Sequence, residues 1–209
     1  MSTELFSLAG RTALVTGSSR GLGHAIADGF AAAGAALVLN GSDPARLATA
    51  ASALREKGYN VTEAAFDVTN ESAVCDAFAK LDADGIAVDI LVNNAGIQLR
   101  KLLVELSVAE WQRVIDTNLT SAFVCSHAAY PHMKKAGGGK IINIGSMMSI
   151  FAAPFSPAYA ASKGGIVQFT RSCACAWAAD NIQANAILPG WIDTDLTRRA
   201  RQEDRKSVV

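Results

Sequence analysis

The sequence predicts an α/β fold, a three-layer α/β/α sandwich in which a doubly wound parallel sheet of about six strands lies between two layers of helices. Three observations carry that prediction. Short apolar runs alternate along the chain with longer segments of helical period, the pattern of successive βα units. Helix-start signals stand at the joints: Asp43-Pro44 and Ser156-Pro157 each place a capping side chain before a proline at the first helical position, and Ser107 with Glu110 has capping-box spacing. A glycine-rich turn, Thr16 to Gly23, follows the first strand and opens the first helix, where an open parallel sheet holds a nucleotide.

In order, Arg11 to Thr16 reads as a strand and Gly21 to Ala33 as a helix; Ala36 to Asn40 is a strand and Pro44 to Lys57 a helix. Val61 to Phe66, Glu71 to Leu81 and Ile90 to Asn93 repeat strand, helix and strand. One long helical stretch is expected over Val108 to Lys135, then a strand at Lys140 to Ile144, a helix from Pro157 to about Ala179 and a strand at Ile182 to Ile187.

With 209 residues, half of them hydrophobic, the chain suits one substantial core, and a single domain over residues 1–209 is expected. Basic and acidic side chains balance to zero net charge with no long block of either sign, which argues against general attraction to nucleic acid or anionic membrane and favours a small-molecule partner. The N-terminus lacks a positive segment followed by an apolar one, and no run approaches a membrane span, so a cytoplasmic protein is expected. Cys75, Cys125, Cys173 and Cys175 fit a reducing compartment; Cys173 and Cys175 point to different sides of a helix, and His24, His127 and His132 have no ligand spacing, so no metal is expected.

In TGSSRGLG, Gly17 permits a tight turn, Gly21 lets backbone approach a pyrophosphate, Gly23 lets helix pack on sheet, and the helix N-terminus offers amides and positive dipole to phosphates. The spacing is neither G-x-G-x-x-G nor a P-loop. Further on, Tyr159 and Lys163 stand one helical turn apart on the same face. An ammonium beside a phenol favours the phenolate and lowers a pKa that is about 10 in isolation. Ser146, on another element, can hydrogen-bond the same substrate oxygen.

With NNAG at Asn93 to Gly96, these motifs make the chain resemble the short-chain dehydrogenase/reductase family over nearly its whole length and in the family's order. The resemblance implies a Rossmann-type NAD(P)-dependent oxidoreductase in which Tyr159 is the general acid or base, Lys163 lowers its pKa and holds the nicotinamide ribose, and Ser146 orients the substrate carbonyl or hydroxyl. Asn118, in IDTNLTSAF, matches the family asparagine that bends the long helix and anchors a water in the proton relay; a polar residue packed at a helix kink is its plainer reading. Asn93 is similarly divided between supporting the sheet and lining the cleft. Implied cofactor contacts are Gly17, Ser19, Arg20, Gly21, Leu22 and Gly23 in the first turn, Asn40 and Ser42 after the second strand, and Asp67 and Val68 beside the adenine. Asn94, Ala95, Gly96, Tyr159 and Lys163 follow, with Pro189, Gly190, Ile192 and Thr194 near the nicotinamide. Hydride moves to or from the nicotinamide, so the protein supplies a proton, a binding surface and orientation.

An acidic residue that would bond the ribose 2′-hydroxyl falls, by family position, on uncharged Gly41, with Ser42 next and Arg20 nearby; NADP is therefore expected over NAD. Asp43 competes as a ribose contact, although capping before Pro44 explains it too. Asp193 and Asp195 read as solvated loop residues. Within the family the chain most resembles gluconate 5-dehydrogenases, through NNAGIQLRKLLVEL, EWQRVIDTNLTSAF, GKIINIGSMMS, ASKGGI and NIQANAILPGW. That implies a polyol or sugar-acid substrate, with Gln98, Arg100 and Lys101 as polar suppliers or as exposed loop, and Met147 and Met148 as apolar wall or core filling. A 3-oxoacyl thioester reductase shares the catalytic set, and a cofactor-binding protein with little turnover is the reading from another class.

Two departures from the resemblance stand out. Ala153 in FAAPF occupies a place where the subfamily has an arginine. Family members continue for several tens of residues past the proline-glycine turn, through a covering helical segment and a final strand, so an incomplete lid and a missing last strand are expected here. The basic group Arg198, Arg199, Arg201, Arg205 and Lys206 reads as a solvated tail, and the two long helices imply a homodimer.

Overall fold

In a computed structural model that describes residues 3–194, six strands form one parallel sheet in the order β3-β2-β1-β4-β5-β6. The strands are β1 Thr12–Val15, β2 Ala36–Gly41, β3 Val61–Ala65, β4 Ile90–Asn93, β5 Gly139–Ile144 and β6 Ile182–Ile187. Helices α1 Gly21–Ala32 and α2 Pro44–Arg55 pack on one face, with α3 Glu71–Ala83, α5 Ser121–Lys135 and α6 Pro157–Trp177 on the other. The order reverses between β1 and β4, so a crevice opens beyond their carboxyl ends.

Because both faces are covered, the strands are apolar on both, and alternate residues feed two cores. Leu14, Val38, Leu91 and Ile141 pack toward α3, α5 and α6; Ala13, Val15, Leu37, Leu39 and Val92 pack toward α1 and α2. A buried polar chain crosses the first core. Asn93 Nδ2 donates to Asn143 Oδ1 at 2.8 Å and Ser126 Oγ at 3.0 Å, and Asn143 Nδ2 donates to Thr170 Oγ1 at 2.9 Å. These bonds tie β4 to β5, α5 and α6.

Asp43 caps α2 through the Arg46 amide at 3.1 Å, and Ser107 and Glu110 form the capping box. Ser156 does not behave as expected: its side chain caps nothing in α6, and its buried hydroxyl lies 3.5 Å from Gln98 Nε2. The stretch expected as one long helix is also divided. Helix α4, Val108–Ile115, gives way to a π-helical turn, Asp116–Thr120, before α5 begins, and the turn is marked by the Ser121 amide reaching back to the Asp116 carbonyl. Periodicity alone does not distinguish a π turn from an unbroken helix.

No described helix is long and apolar enough to cross a membrane. Cys173 is buried and Cys175 exposed, as the helical spacing requires. Asp195 and the basic group from Arg198 to Lys206 lie outside the described residues.

Candidate active site

The first turn is built from the sheet upward. Thr16, buried at the end of β1, accepts from the Asn94 and Ala95 amides at 3.0 Å, and Asn94 Nδ2 donates to the Thr16 carbonyl at 2.9 Å and the Gly17 carbonyl at 3.2 Å. The turn after β1 and the NNAG turn after β4 therefore brace one another. Gly21 has a φ of +58°, and a Cβ at Gly23 would collide with Asn94 and the Gly17 carbonyl, so both sites need glycine. No side chain caps α1, whose first residues Gly21, Leu22 and Gly23 border a cleft of about 690 Å³.

The cleft gathers residues that the chain keeps far apart. Gly17, Ser19 and Arg20 join the α1 residues along one wall, and Asn40, Ser42, Asp67 and Val68 line one end. Asn94, Ala95 and Gly96 lie beyond, followed by Ser146, Tyr159 and Lys163, with Pro189, Gly190, Ile192 and Thr194 at the other side. Asn40 is more brace than open contact: its Oδ1 accepts from the Gly17 amide at 3.2 Å, and its Nδ2 donates to the Ala64 and Phe66 carbonyls at 3.1 and 3.0 Å.

Arg46 lines the same end, a position the sequence reading passed over. Its guanidinium pairs with Asp43 at 3.0 Å, and Asp43 itself does not border the cleft. The acid considered as a ribose contact is thus engaged by the cap and by an arginine. The signal was present as an arginine three residues after a helix N-cap, where it shares a face with the capping side chain.

At the reacting end, Lys163 Nζ is buried and donates to the Ile144 carbonyl at 2.6 Å, 5.7 Å from the Tyr159 ring centre. Burial lowers the Lys163 pKa to about 8. Burial also raises that of Tyr159, and the Ser146 hydroxyl only partly opposes it. This direction is opposite to the one expected from the tyrosine–lysine spacing, because desolvation of the phenolate outweighs the Ser146 hydrogen bond and the ammonium is turned to a backbone carbonyl.

Asn118 is buried at the π turn and does not line the cleft. Its Oδ1 accepts from the Ile97 amide at 2.8 Å, and its Nδ2 donates to the Ile97 carbonyl at 2.9 Å and to Ser162 Oγ at 3.1 Å; Ser162 in turn donates to the Tyr159 carbonyl at 2.7 Å. It clamps the segment after NNAG onto α6. Asn93 belongs to the core network instead of the cleft wall.

Gln98, Arg100, Met147 and Met148 do not border the cleft. The Arg100 guanidinium lies 3.9 Å over the Phe155 ring, the Lys101 amide donates to the Phe155 carbonyl at 2.8 Å, and the Lys101 ammonium pairs with Glu110 at 2.9 Å. These contacts tie the 97–101 segment to the loop before α6. Asp193 is exposed. Among the described residues, no group of three or more His, Cys, Asp or Glu side chains could hold a metal ion.

The arrangement places the first residues of α1 and two arginines in one cleft with a half-buried phenol, a buried ammonium and a buried hydroxyl. The profile of the short chain dehydrogenase family matches residues 11–205. Gluconate 5-dehydrogenase of Gluconobacter oxydans (strain 621H) is 41% identical over 196 residues, covering 94% of this chain and 77% of the relative. A protein of Agrobacterium tumefaciens, solved under the provisional description of gluconate dehydrogenase, is 55% identical with a TM-score of 0.92, over 93% of this chain and 77% of the other. A gluconate 5-dehydrogenase of Burkholderia cenocepacia J2315, solved with NADP and tartrate, is 41% identical with a TM-score of 0.92, over 94% and 77% of the two chains.

Proposed function

The chain belongs to the short-chain dehydrogenase family and is an oxidoreductase of that family, and we propose that it interconverts D-gluconate and 5-keto-D-gluconate with NADP in preference to NAD. One observation carries the reading: Ser146, Tyr159 and Lys163 border the same cleft as the glycine turn. The cleft also fits the cofactor. Gly21 leaves open backbone at the cleft, Gly23 lets α1 pack against Asn94 and the Gly17 carbonyl, and Arg20 and Arg46 stand where a 2′-phosphate would need cations.

When bound, the nicotinamide supplies or accepts the hydride. In reduction, Tyr159 gives its phenolic proton to the carbonyl oxygen as that oxygen gains charge, and Ser146 holds the same oxygen by a hydrogen bond. In oxidation the tyrosinate takes the proton back. Lys163, fixed to Ile144, presents a cation beside the phenol and the ribose. Asn118 holds the wall through Ile97 and keeps α6 in place through Ser162. Relatives named for gluconate support a sugar-acid substrate.

The chain forms a homodimer through the outer faces of α5 and α6, where Phe123 is half exposed and stacks on His127 and edge-on against Phe169. Sedimentation showing only monomer at micromolar concentration would refute the dimer.

Parallel fluorescence titrations with NADPH and NADH, followed by turnover of 5-keto-D-gluconate beside a 3-oxoacyl thioester, test the reading. Tighter NADPH binding and selective turnover of the keto acid are expected. Faster turnover of the thioester would reassign the substrate, and binding of neither nucleotide would overturn the function.

A further inference from the structure

The turn that carries Ser146 and the helix that carries Tyr159 and Lys163 come from separate elements, joined by the 150–156 loop. Ser149 spans the gap. Its hydroxyl donates to the Lys163 carbonyl at 2.6 Å and accepts from the Ser146 amide at 3.2 Å, while its own amide donates to the Ser146 carbonyl at 2.8 Å. Lys163 meets the same segment twice, because its ammonium holds the Ile144 carbonyl at 2.6 Å. One residue of α6 is therefore gripped on both sides of Ser146. Gly145 makes the room: a Cβ there would stand 3.1 Å from the Ser149 hydroxyl oxygen and 3.3 Å from the Ile187 carbonyl.

We propose that Ser149 is a positioning residue whose hydroxyl sets the spacing between the Ser146 hydroxyl and the Tyr159 phenol by tying the serine turn to the Lys163 carbonyl. Ser149 does not border the cleft, so it acts through the residues that do. The inference rests on the roles given above to Ser146, Tyr159 and Lys163. A short hydrogen bond to a helix carbonyl is a suitable device, since it fixes a distance without placing another polar group beside the substrate. Small displacements of reacting groups are costly, on the order of a hundredfold per ångström.

The test is Ser149→Ala in the full chain, with NADPH and 5-keto-D-gluconate. A fall in kcat of about 10- to 100-fold is expected, with the NADPH dissociation constant unchanged. The alkaline limb of the pH–rate profile for reduction should move to higher pH, because a displaced Ser146 no longer favours the phenolate. Amide exchange at Ser146, whose N–H loses its acceptor, should quicken. Unchanged kcat and pH profile would overturn the proposal. So would a parallel loss of kcat, NADPH binding and thermal stability, which would make Ser149 a folding residue. If the unaltered chain turns over no substrate, the assigned reaction fails on its own account, and Ser146 exchange decides the clamp: unchanged exchange in Ser149→Ala overturns it.

Discussion

A half-buried phenol keeps its proton until something stabilises the anion. For Tyr159 the group that opposes desolvation is the Ser146 hydroxyl, also at the cleft. Replacing the phenol removes the one proton donor named for the reaction while leaving the ring to pack. Tyr159→Phe should lower kcat by about 10²- to 10⁴-fold, with NADPH affinity nearly unchanged; turnover equal to the parent would sink the assignment. Arg46 makes a separate case at the other end of the cleft. If it bonds a 2′-phosphate, Arg46→Ala removes a charge-assisted contact worth about 1.5–3 kcal/mol. NADPH binding should weaken by roughly 10- to 100-fold, and NADH binding should stay the same. Equal weakening of both nucleotides in parallel titrations would place Arg46 in general packing instead.

Elements decide how those side chains are aimed. Helix α2 starts at Pro44 behind the Asp43 cap, and the same carboxylate holds Arg46 against the cleft. Asp43→Ala should cost about 1 kcal/mol of stability through the lost cap, read as a lower urea midpoint with an unchanged slope. It should also leave NADPH binding intact or tighter, since Arg46 is released from its partner. Weaker NADPH binding would show instead that the pair is needed to present the guanidinium. The π turn does comparable work between α4 and α5. It brings Asn118 within 2.8 Å of the Ile97 amide and within 3.1 Å of Ser162, joining the segment after NNAG to α6.

Across the whole molecule, burial leaves a signature in the pH dependence of stability. The Lys163 pKa is about 8 in the fold against an ordinary value of 10.5. Between those values the unfolded chain binds more protons than the native one, so this group makes stability rise with pH over that window, by about 1.4 kcal/mol per pH unit. Below pH 8 both states carry the proton and the contribution is flat. Cys125 and Cys173 act in the opposite sense, because burial raises their thiols to about 12 and about 11 and stability is lost as pH rises above their unfolded value of 9.0. Subtracting a Lys163→Met series from the parent cancels the thiols. The difference, measured by urea unfolding from pH 7 to 10, should be flat to about pH 8 and then climb in favour of the parent. A flat difference throughout would mean that the ammonium is far better solvated than its contact with Ile144 implies.

The order of βα units, the glycine turn and the Tyr159–Lys163 pair were legible in the sequence, because each depends on neighbours within a few residues: apolar periodicity, a positive φ at Gly21, one turn of α6. Six strands and their helices consequently stand within a residue or two of where periodicity places most of their ends. What the sequence could not set was any property created by contact between distant segments. The direction of the Tyr159 shift follows from desolvation, the engagement of Asp43 by Arg46 follows from where α2 meets the cleft, and the bond from Ser149 to the Lys163 carbonyl exists only once the serine turn lies on α6. Local geometry is written in spacing, whereas dielectric environment and the choice among competing hydrogen-bond partners arise when the chain closes on itself.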